Sequence, residues 1–467
     1  MGFVLSVLYL VIYFLTPTTL VGPLAVLHIE LILAVLLVVV SVPSLSKSST
    51  LKTPQSLALP GMAVAVFLSI LIGIRWPGGA VYSFLNFIPN IFAYFLVCLH
   101  CNTKKKLQVL VVMLFFVCLF VIAHGYADLL RGYPETGPMH PGMPESAAMT
   151  VWDIEHPYML AMTYGDGTWI YRLRGLGDIN DPNDFGQVIV CVIPLMFILW
   201  RKGRTVFNFL CVIVPSCLLL FGAFLTHSRG ALVALTAVAV VAARRRIGTI
   251  PSLLVAGALF VGASVTNFTG GREISANAGS DRTGLWGQGL EMLKSHPIFG
   301  VGFGNFKDYC GCGHTAHNSI LVSAGELGMF GLFFWCLFLL PTVRDAFVIA
   351  SPKKVEEGTP PVQEESFYPQ TVRTMEVLDK AEINRLGTLV FLSIIGFLVA
   401  GFFLSRAYVL TLFLLGGMAE AVFEIGVRQG MTVPRMPAGR VFRLSAALTF
   451  LMVVMMYLVV RVLNLMH

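Results

Sequence analysis

The chain has 467 residues, of which 56% are hydrophobic and 12% charged, and its mean hydropathy is +0.80. A soluble globular domain carries about 25% charged residues, so the composition excludes that class and identifies an integral membrane protein. The formal net charge of +7 is distributed over short loops between apolar runs, which is a topology signal and no nucleic-acid footprint.

Apolar runs of about 20 residues recur along most of the chain. Hydropathy predicts about thirteen spans, near 2–16, 22–42, 57–74, 82–100, 107–125, 184–200, 205–225, 229–243, 249–266, 318–340, 386–403, 407–422 and 443–460. The N-terminus lacks the basic region of a cleavable signal peptide. Alternate short loops are basic: Lys47 and Lys52; Lys104, Lys105 and Lys106; Arg201, Lys202 and Arg204; Arg244, Arg245 and Arg246; and later Arg428, Arg435, Arg440 and Arg443. This places those loops and the N-terminus in the cytoplasm. The loops 126–183 and 267–317 then lie outside. The expected organisation is N-terminal helices (1–125), a first external loop (126–183), central helices (184–266) and a large external loop (267–317). A helix (318–340), a charged cytoplasmic linker (341–385) and C-terminal helices (386–467) follow. No repeat period stands out, which argues against an inverted-repeat transporter.

The first external loop ends Arg172-Leu-Arg174-Gly-Leu-Gly-Asp178-Ile-Asn180-Asp181-Pro182-Asn183. Asp181-Pro182 is a helix-start signal, since Asp caps and Pro suits the first helical position. Arg172 and Arg174 are therefore expected just above the membrane. Thr226-His227-Ser228-Arg229-Gly230 reads as a tight external turn between spans. Arg229 there is either a snorkelling interface residue or an anion contact.

The second external loop is the most polar long stretch. Apolar residues at Leu285, Trp286, Gly289, Leu290 and Leu293 predict an amphipathic helix on the external surface, or an ordinary solvated loop helix. Gly300-Val-Gly302-Phe-Gly304 resembles a nucleotide loop only superficially, because it follows no strand and opens no helix. Cys310, Cys312, His314 and His317 are too cramped for the usual two-plus-two zinc arrangement. A disulfide involving Cys310 or Cys312 suits an oxidising compartment. The next span begins at His317-Asn318-Ser319. Ala324, Gly328 and Gly331 offer a small-residue stripe for close helix packing. Glu326, well inside the span, is either a functional group or the structural partner of an arginine.

Arg172, Arg174, Arg229, Arg272, Arg282 and Arg406 form an external cationic set with His317. Arginine matches phosphate in a bidentate fork and stays charged. A histidine at a helix N-terminus is biased toward the neutral form that accepts a proton. Together they suit group transfer with a lipid diphosphate as leaving group. The plain alternative for His317 is a cap or packing residue.

Four motifs resemble the bacterial O-antigen ligase and O-antigen polymerase family. They are Arg174-Gly175 with Asn180-Asp-Pro-Asn183; Ser228-Arg229-Gly230; Arg282 with Trp286 and His296-Pro-Ile-Phe-Gly-Val-Gly-Phe-Gly-Asn-Phe306; and His317-Asn-Ser with Glu326-Leu-Gly328. The resemblance implies an all-α, GT-C-like polytopic glycosyltransferase in the bacterial inner membrane with its site facing the periplasm; the ligases have twelve transmembrane helices against about thirteen spans counted here, so 12–13 are expected. It implies inverting transfer from an undecaprenyl-diphosphate-linked glycan to a hydroxyl of lipid A–core, with no metal or other cofactor. An O-antigen or exopolysaccharide polymerase, whose acceptor is a second lipid-linked glycan, and a protein O-glycosyltransferase share the same donor. A transporter or flippase of a lipid-linked anion is the rival from another class. The resemblance makes His317, Arg229 and Arg282 the candidate catalytic residues. Arg172, Arg174, Arg272, Asn183, Asn318 and Glu326 are the candidate contacts to diphosphate or glycan. The linker 341–385 is a departure from the family pattern.

Overall fold

The computed structural model describes residues 1–20, 23, 27–45, 49–133, 137–138, 144–163, 167–271, 280–351, 378–431 and 433–465. All thirteen expected spans correspond to helices. The first five are α1 (Gly2–Leu15), α2 (Ile29–Leu45), α3 (Pro54–Ile74), α4 (Pro77–His100) and α5 (Lys104–Leu130). The first large loop holds α6 (Glu145–Glu155) and a two-stranded antiparallel hairpin, β1 (Met159–Thr163) with β2 (Trp169–Leu173), in which Leu160 pairs Arg172. Then come α7 (Pro182–Leu199), α8 (Thr205–Leu225), α9 (Arg229–Ile247) and α10 (Thr249–Val265). The second loop holds α11 (Ser280–Ser295), and the chain finishes with α12 (Ser319–Ala350), α13 (Lys380–Gly401), α14 (Leu410–Arg428) and α15 (Ala438–Leu465). Nine of the described helices are long and apolar enough to cross a membrane; α1, α2 and α10 are shorter apolar helices. The protein is a nearly all-helical polytopic membrane protein, and among the described residues α6 and the hairpin of the first loop were not expected. The linker expected at 341–385 is overlapped at both ends, by α12 to Ala350 and by α13 from Lys380; its remainder, 352–377, lies outside the described residues.

The packing order shows in how much of each helix is buried by its neighbours. In α14, 89% of the apolar window is buried, against 17% in α15. The first is therefore central and the second lies at the rim, facing lipid. The hub is α12, which packs against α3, α11, α13, α14 and α15. Basic residues gather at one end of the bundle, where Lys104 pairs with Glu382 at 2.9 Å and Arg245 donates to Thr388 at 3.0 Å and to the Ala350 carbonyl at 3.4 Å. The opposite end carries the two large loops.

The helix α12 is broken. Gly328 has φ 65° and ψ −167°, and a Cβ added there would lie 2.4 Å from the Ile298 oxygen. Only glycine fits both the left-handed conformation and the contact. The break frees backbone groups that the 297–302 segment then pairs. Val301 and Gly302 donate to the carbonyls of Gly325 (2.9 Å) and Glu326 (3.0 Å), while Met329 and Phe330 donate to Pro297 (2.9 Å) and Ile298 (3.1 Å). Irregular backbone is tolerated at membrane depth only where protein satisfies it in this way. Two expectations are corrected. The Gly328 position of the small-residue stripe admits a loop where a helix was expected. Glu326, read as either a functional group or an arginine's partner, accepts from the backbone amides of Gly304 (3.0 Å) and Phe306 (3.4 Å), which replaces the arginine of the second reading.

Candidate active site

Three helices begin at the loop-bearing end, around the turn that joins α13 to α14. Each start is fixed by a side-chain cap. The Asp181 carboxylate accepts from the Asn183 amide at 2.7 Å, with Pro182 in the first helical position as expected. Ser228 Oγ accepts from the Ala231 amide at 3.2 Å, so Arg229 is the first residue of α9. Asn318 Oδ1 accepts from Ile320 (3.0 Å) and Leu321 (3.1 Å). The turn ties these ends together: Asn318 Nδ2 donates to the Phe402 carbonyl (3.0 Å), Ser319 Oγ to the Leu404 carbonyl (2.9 Å), and the Arg406 amide to Ser319 Oγ (3.2 Å). A Cβ on Gly230 would sit 3.6 Å from Phe403, so α9 starts against the same turn. Converging helix N-termini concentrate partial positive charge at one place, which is the physical basis of an anion site.

His317 lies two residues before the first residue of α12, since the cap is Asn318. Its φ is 48°, a left-handed conformation that costs a non-glycine residue about 1–2 kcal/mol. Hydrogen bonds on both sides hold it there. The His317 amide donates to Ser405 Oγ at 2.8 Å, and that hydroxyl donates to Thr315 Oγ1 at 2.6 Å. Trp286 Nε1, from α11, donates to the Ala316 carbonyl at 2.9 Å. The amphipathic pattern of α11 is thus used to clamp this segment, with Trp286, Met292 and Leu293 buried. The imidazole itself is half-buried. Burial pushes its pKa below the usual 6.5. The charge of Arg282 and the nearby His314 push the same way, and Asp181 opposes them. The neutral form is favoured chiefly by burial and Arg282, beyond the helix dipole invoked from sequence.

The expected arginines divide into two groups. Arg172 is 1% exposed and fully engaged: Nε donates to the Thr226 carbonyl (2.9 Å), one terminal nitrogen to Asn183 Oδ1 (2.9 Å) and the other toward Met162 Sδ (3.5 Å). Asn183 Oδ1 also accepts from Ser228 Oγ at 2.9 Å, so this pair joins the hairpin to the starts of α7 and α9. Arg174 donates to the Pro157 carbonyl (3.1 Å) and pairs with Asp153 at 2.8 Å. Asn318 is fully buried in its cap. Arg229 and Arg282 are half-buried at the starts of α9 and α11. Arg406 pairs with Asp184 in the first turn of α7. Arg272 lies outside the described residues. Cys310 and Cys312 form a disulfide in the loop that leads to His317.

Sequence reasoning overlooked Ser405 and gave Asp181 only a capping role. Ser405 stands 88 residues from the His317 amide that it accepts, and no local pattern marks such a pairing. Asp181 was legible as a cap, but its electrostatic reach to His317 is a property of the fold.

Residues 214–336 match the family model described as O-antigen ligase. The matched segment contains Arg229, Arg282, His317 and Glu326, so the resemblance read in the sequence holds over that region. Arg172, Arg174, Asn183 and Arg406 lie outside it. The chain matches no curated protein.

Proposed function

We propose that the protein transfers a glycan from undecaprenyl diphosphate to a hydroxyl of lipid A–core, at the periplasmic face of the bacterial inner membrane. The observation that carries this reading is His317, which lies in a ligase-type segment, is held in a left-handed conformation and biased to the neutral form, and stands beside Arg282 and three converging helix starts. His317 removes the proton from the acceptor hydroxyl. The acceptor oxygen then bonds to the anomeric carbon from the face opposite the leaving group, inverting that centre. The bond from the anomeric carbon to the diphosphate oxygen breaks, and the lipid diphosphate leaves with the electron pair. Arg229 and Arg282, with the helix N-termini, stabilise the charge that develops on it. Arg172, Arg174 and Asn183 hold the frame.

The test is transfer by purified protein in detergent, with undecaprenyl-diphosphate glycan as donor and lipid A–core as acceptor, run with and without a chelator. Wild type should form product in both conditions and His317→Ala should not. Chain extension from donor alone, without modification of lipid A–core, would replace the ligase by the polymerase. Failure of folded wild type with every acceptor would favour transport, which has no meaning in detergent.

A further inference from the structure

The loop between α11 and α12 carries the Cys310–Cys312 disulfide, five residues before His317. We propose that this bond is a thiol-exchange site, opened by a dithiol reductant on the loop-bearing side of the membrane, and that opening it slackens the segment that presents His317. Its effect on transfer rests on the reading of His317 given above; the exchange itself does not.

Three observations support it. The first is what the bond joins. Its ends are two residues apart in sequence, with Gly311 between them at φ 62°. A disulfide that stabilises a fold does so mainly by closing a long loop of the unfolded chain. This one closes almost none and ties no two elements together. What it orders is its own turn.

The second is access. Residues 311–314 are exposed, and Cys312 is more open than Cys310. The other seven cysteines are free and lie in or beside the membrane helices. Exposed disulfides are the ones that exchange. A thiolate of the reductant attacks Cys312 Sγ and forms a mixed disulfide. The bond to Cys310 breaks, and Cys310 leaves as thiolate and takes a proton from water. The second thiol of the reductant then attacks its own bound sulfur and releases Cys312, which is protonated in turn. Two electrons pass to the cysteine pair, the dithiol gives up two protons, and the reductant leaves with its own sulfurs joined.

The third is the connection to His317. Among the described residues, the hydrogen bonds of 311–314 stay inside the loop: the Gly311 amide donates to the Asp308 carbonyl (3.3 Å) and the Cys312 amide to Cys310 Sγ (3.3 Å). The His314 carbonyl oxygen packs on the bonded sulfurs, 3.4 Å from Cys312 Sγ and 3.9 Å from Cys310 Sγ. From Thr315 onward the segment is gripped by Ser405 and Trp286. The disulfide turn is therefore the last fixed point before that grip. When the sulfurs part, His314, whose charge acts on His317, loses the pair on which its carbonyl rests.

The test uses the full-length protein in nanodiscs, equilibrated across ratios of reduced to oxidised dithiothreitol. Maleimide trapping with mass spectrometry reads the 310–312 pair, and hydrogen exchange reads 313–317. The pair should open while the protein stays folded. Exchange of 313–317 should quicken about tenfold at the same ratio, and exchange in α14 should not change. The double variant Cys310→Ser and Cys312→Ser should exchange like reduced wild type at every ratio. A pair that opens only as the fold melts would make the bond a structural staple and overturn the proposal. Equal exchange of 313–317 in oxidised and reduced wild type would overturn it too, and that comparison stands even where the double variant does not fold. In the transfer assay, kcat should fall as the wild-type pair opens and should not depend on the ratio in the double variant. Undiminished transfer by a protein whose loop has slackened would cut the link to His317. Redox-dependent exchange in a wild type that transfers nothing would sink the functional reading and leave the exchange site standing.

Discussion

Two cationic regions share the loop-bearing end of this bundle, and they are built differently. Around Arg172, Arg174 and Asn183 the described polar groups are turned inward. Arg172 is 1% exposed and spends its donors on Thr226, Asn183 and Met162. Around His317 and Arg282 the side chains are half-buried, while the backbone is gripped by Ser405 and Trp286. A rigid main chain with an accessible side chain is what a reacting group requires. A buried guanidinium with satisfied donors is a tie rod. The same residue type, at the same end of the molecule, is almost fully buried in one place and half-buried in the other.

The sharpest way to break this contrast is to remove one member of each region. His317→Ala should lower kcat by about 10²–10⁴-fold, the usual worth of a general base. Its melting temperature and its affinity for donor should stay close to wild type. Arg172→Ala should do the reverse. Hydrogen bonds to a charged group contribute about 1.5–3 kcal/mol each, so losing the bonds to Thr226 and Asn183 should destabilise the protein by about 3–6 kcal/mol. Activity should then fall only with the folded fraction. An Arg172→Ala protein that is fully stable but cannot bind donor would return Arg172 to the substrate site.

Glu326 tests the same division inside the bundle. Glu326→Ala removes the acceptor of the Gly304 amide and strands the buried Phe306 amide, at about 1–3 kcal/mol for an unsatisfied group. Hydrogen exchange in 300–306 should quicken, and Glu326→Gln, which keeps an acceptor, should be milder. Lost activity with unchanged protection of that segment would place Glu326 in contact with substrate.

Much of the scaffold was readable in advance because its signals are local. Apolar runs marked every long helix, Asp181-Pro182 announced α7, and Trp286 lay on the predicted face of α11. Gly328 was misread because a glycine at helical spacing is written identically whether a helix or a loop packs against it. The strands escaped because Met159–Thr163 has no clear alternation of polar and apolar residues. The split between buried and half-buried arginines was hidden for a deeper reason. Whether an arginine meets a carbonyl or a ligand depends on partners such as Thr226, 54 residues from Arg172.

The finest contrast is electrostatic. Burial lowers the His317 pKa below 6.5, Arg282 lowers it further, and Asp181 raises it. If the neutral imidazole is the base, protonation on acidification stops turnover, so the acid limb of the pH–rate profile reports this group. In wild type the limb should lie below pH 6.5. Arg282→Gln removes a cation that disfavours imidazolium, so the limb of its residual activity should move up. Asp181→Asn removes an anion that favours imidazolium while keeping a competent cap, so its limb should move down. Opposite displacements from two substitutions flanking one imidazole are what a base in this field requires. A scaffold histidine would change the height of both profiles and leave the position of the limb where it was.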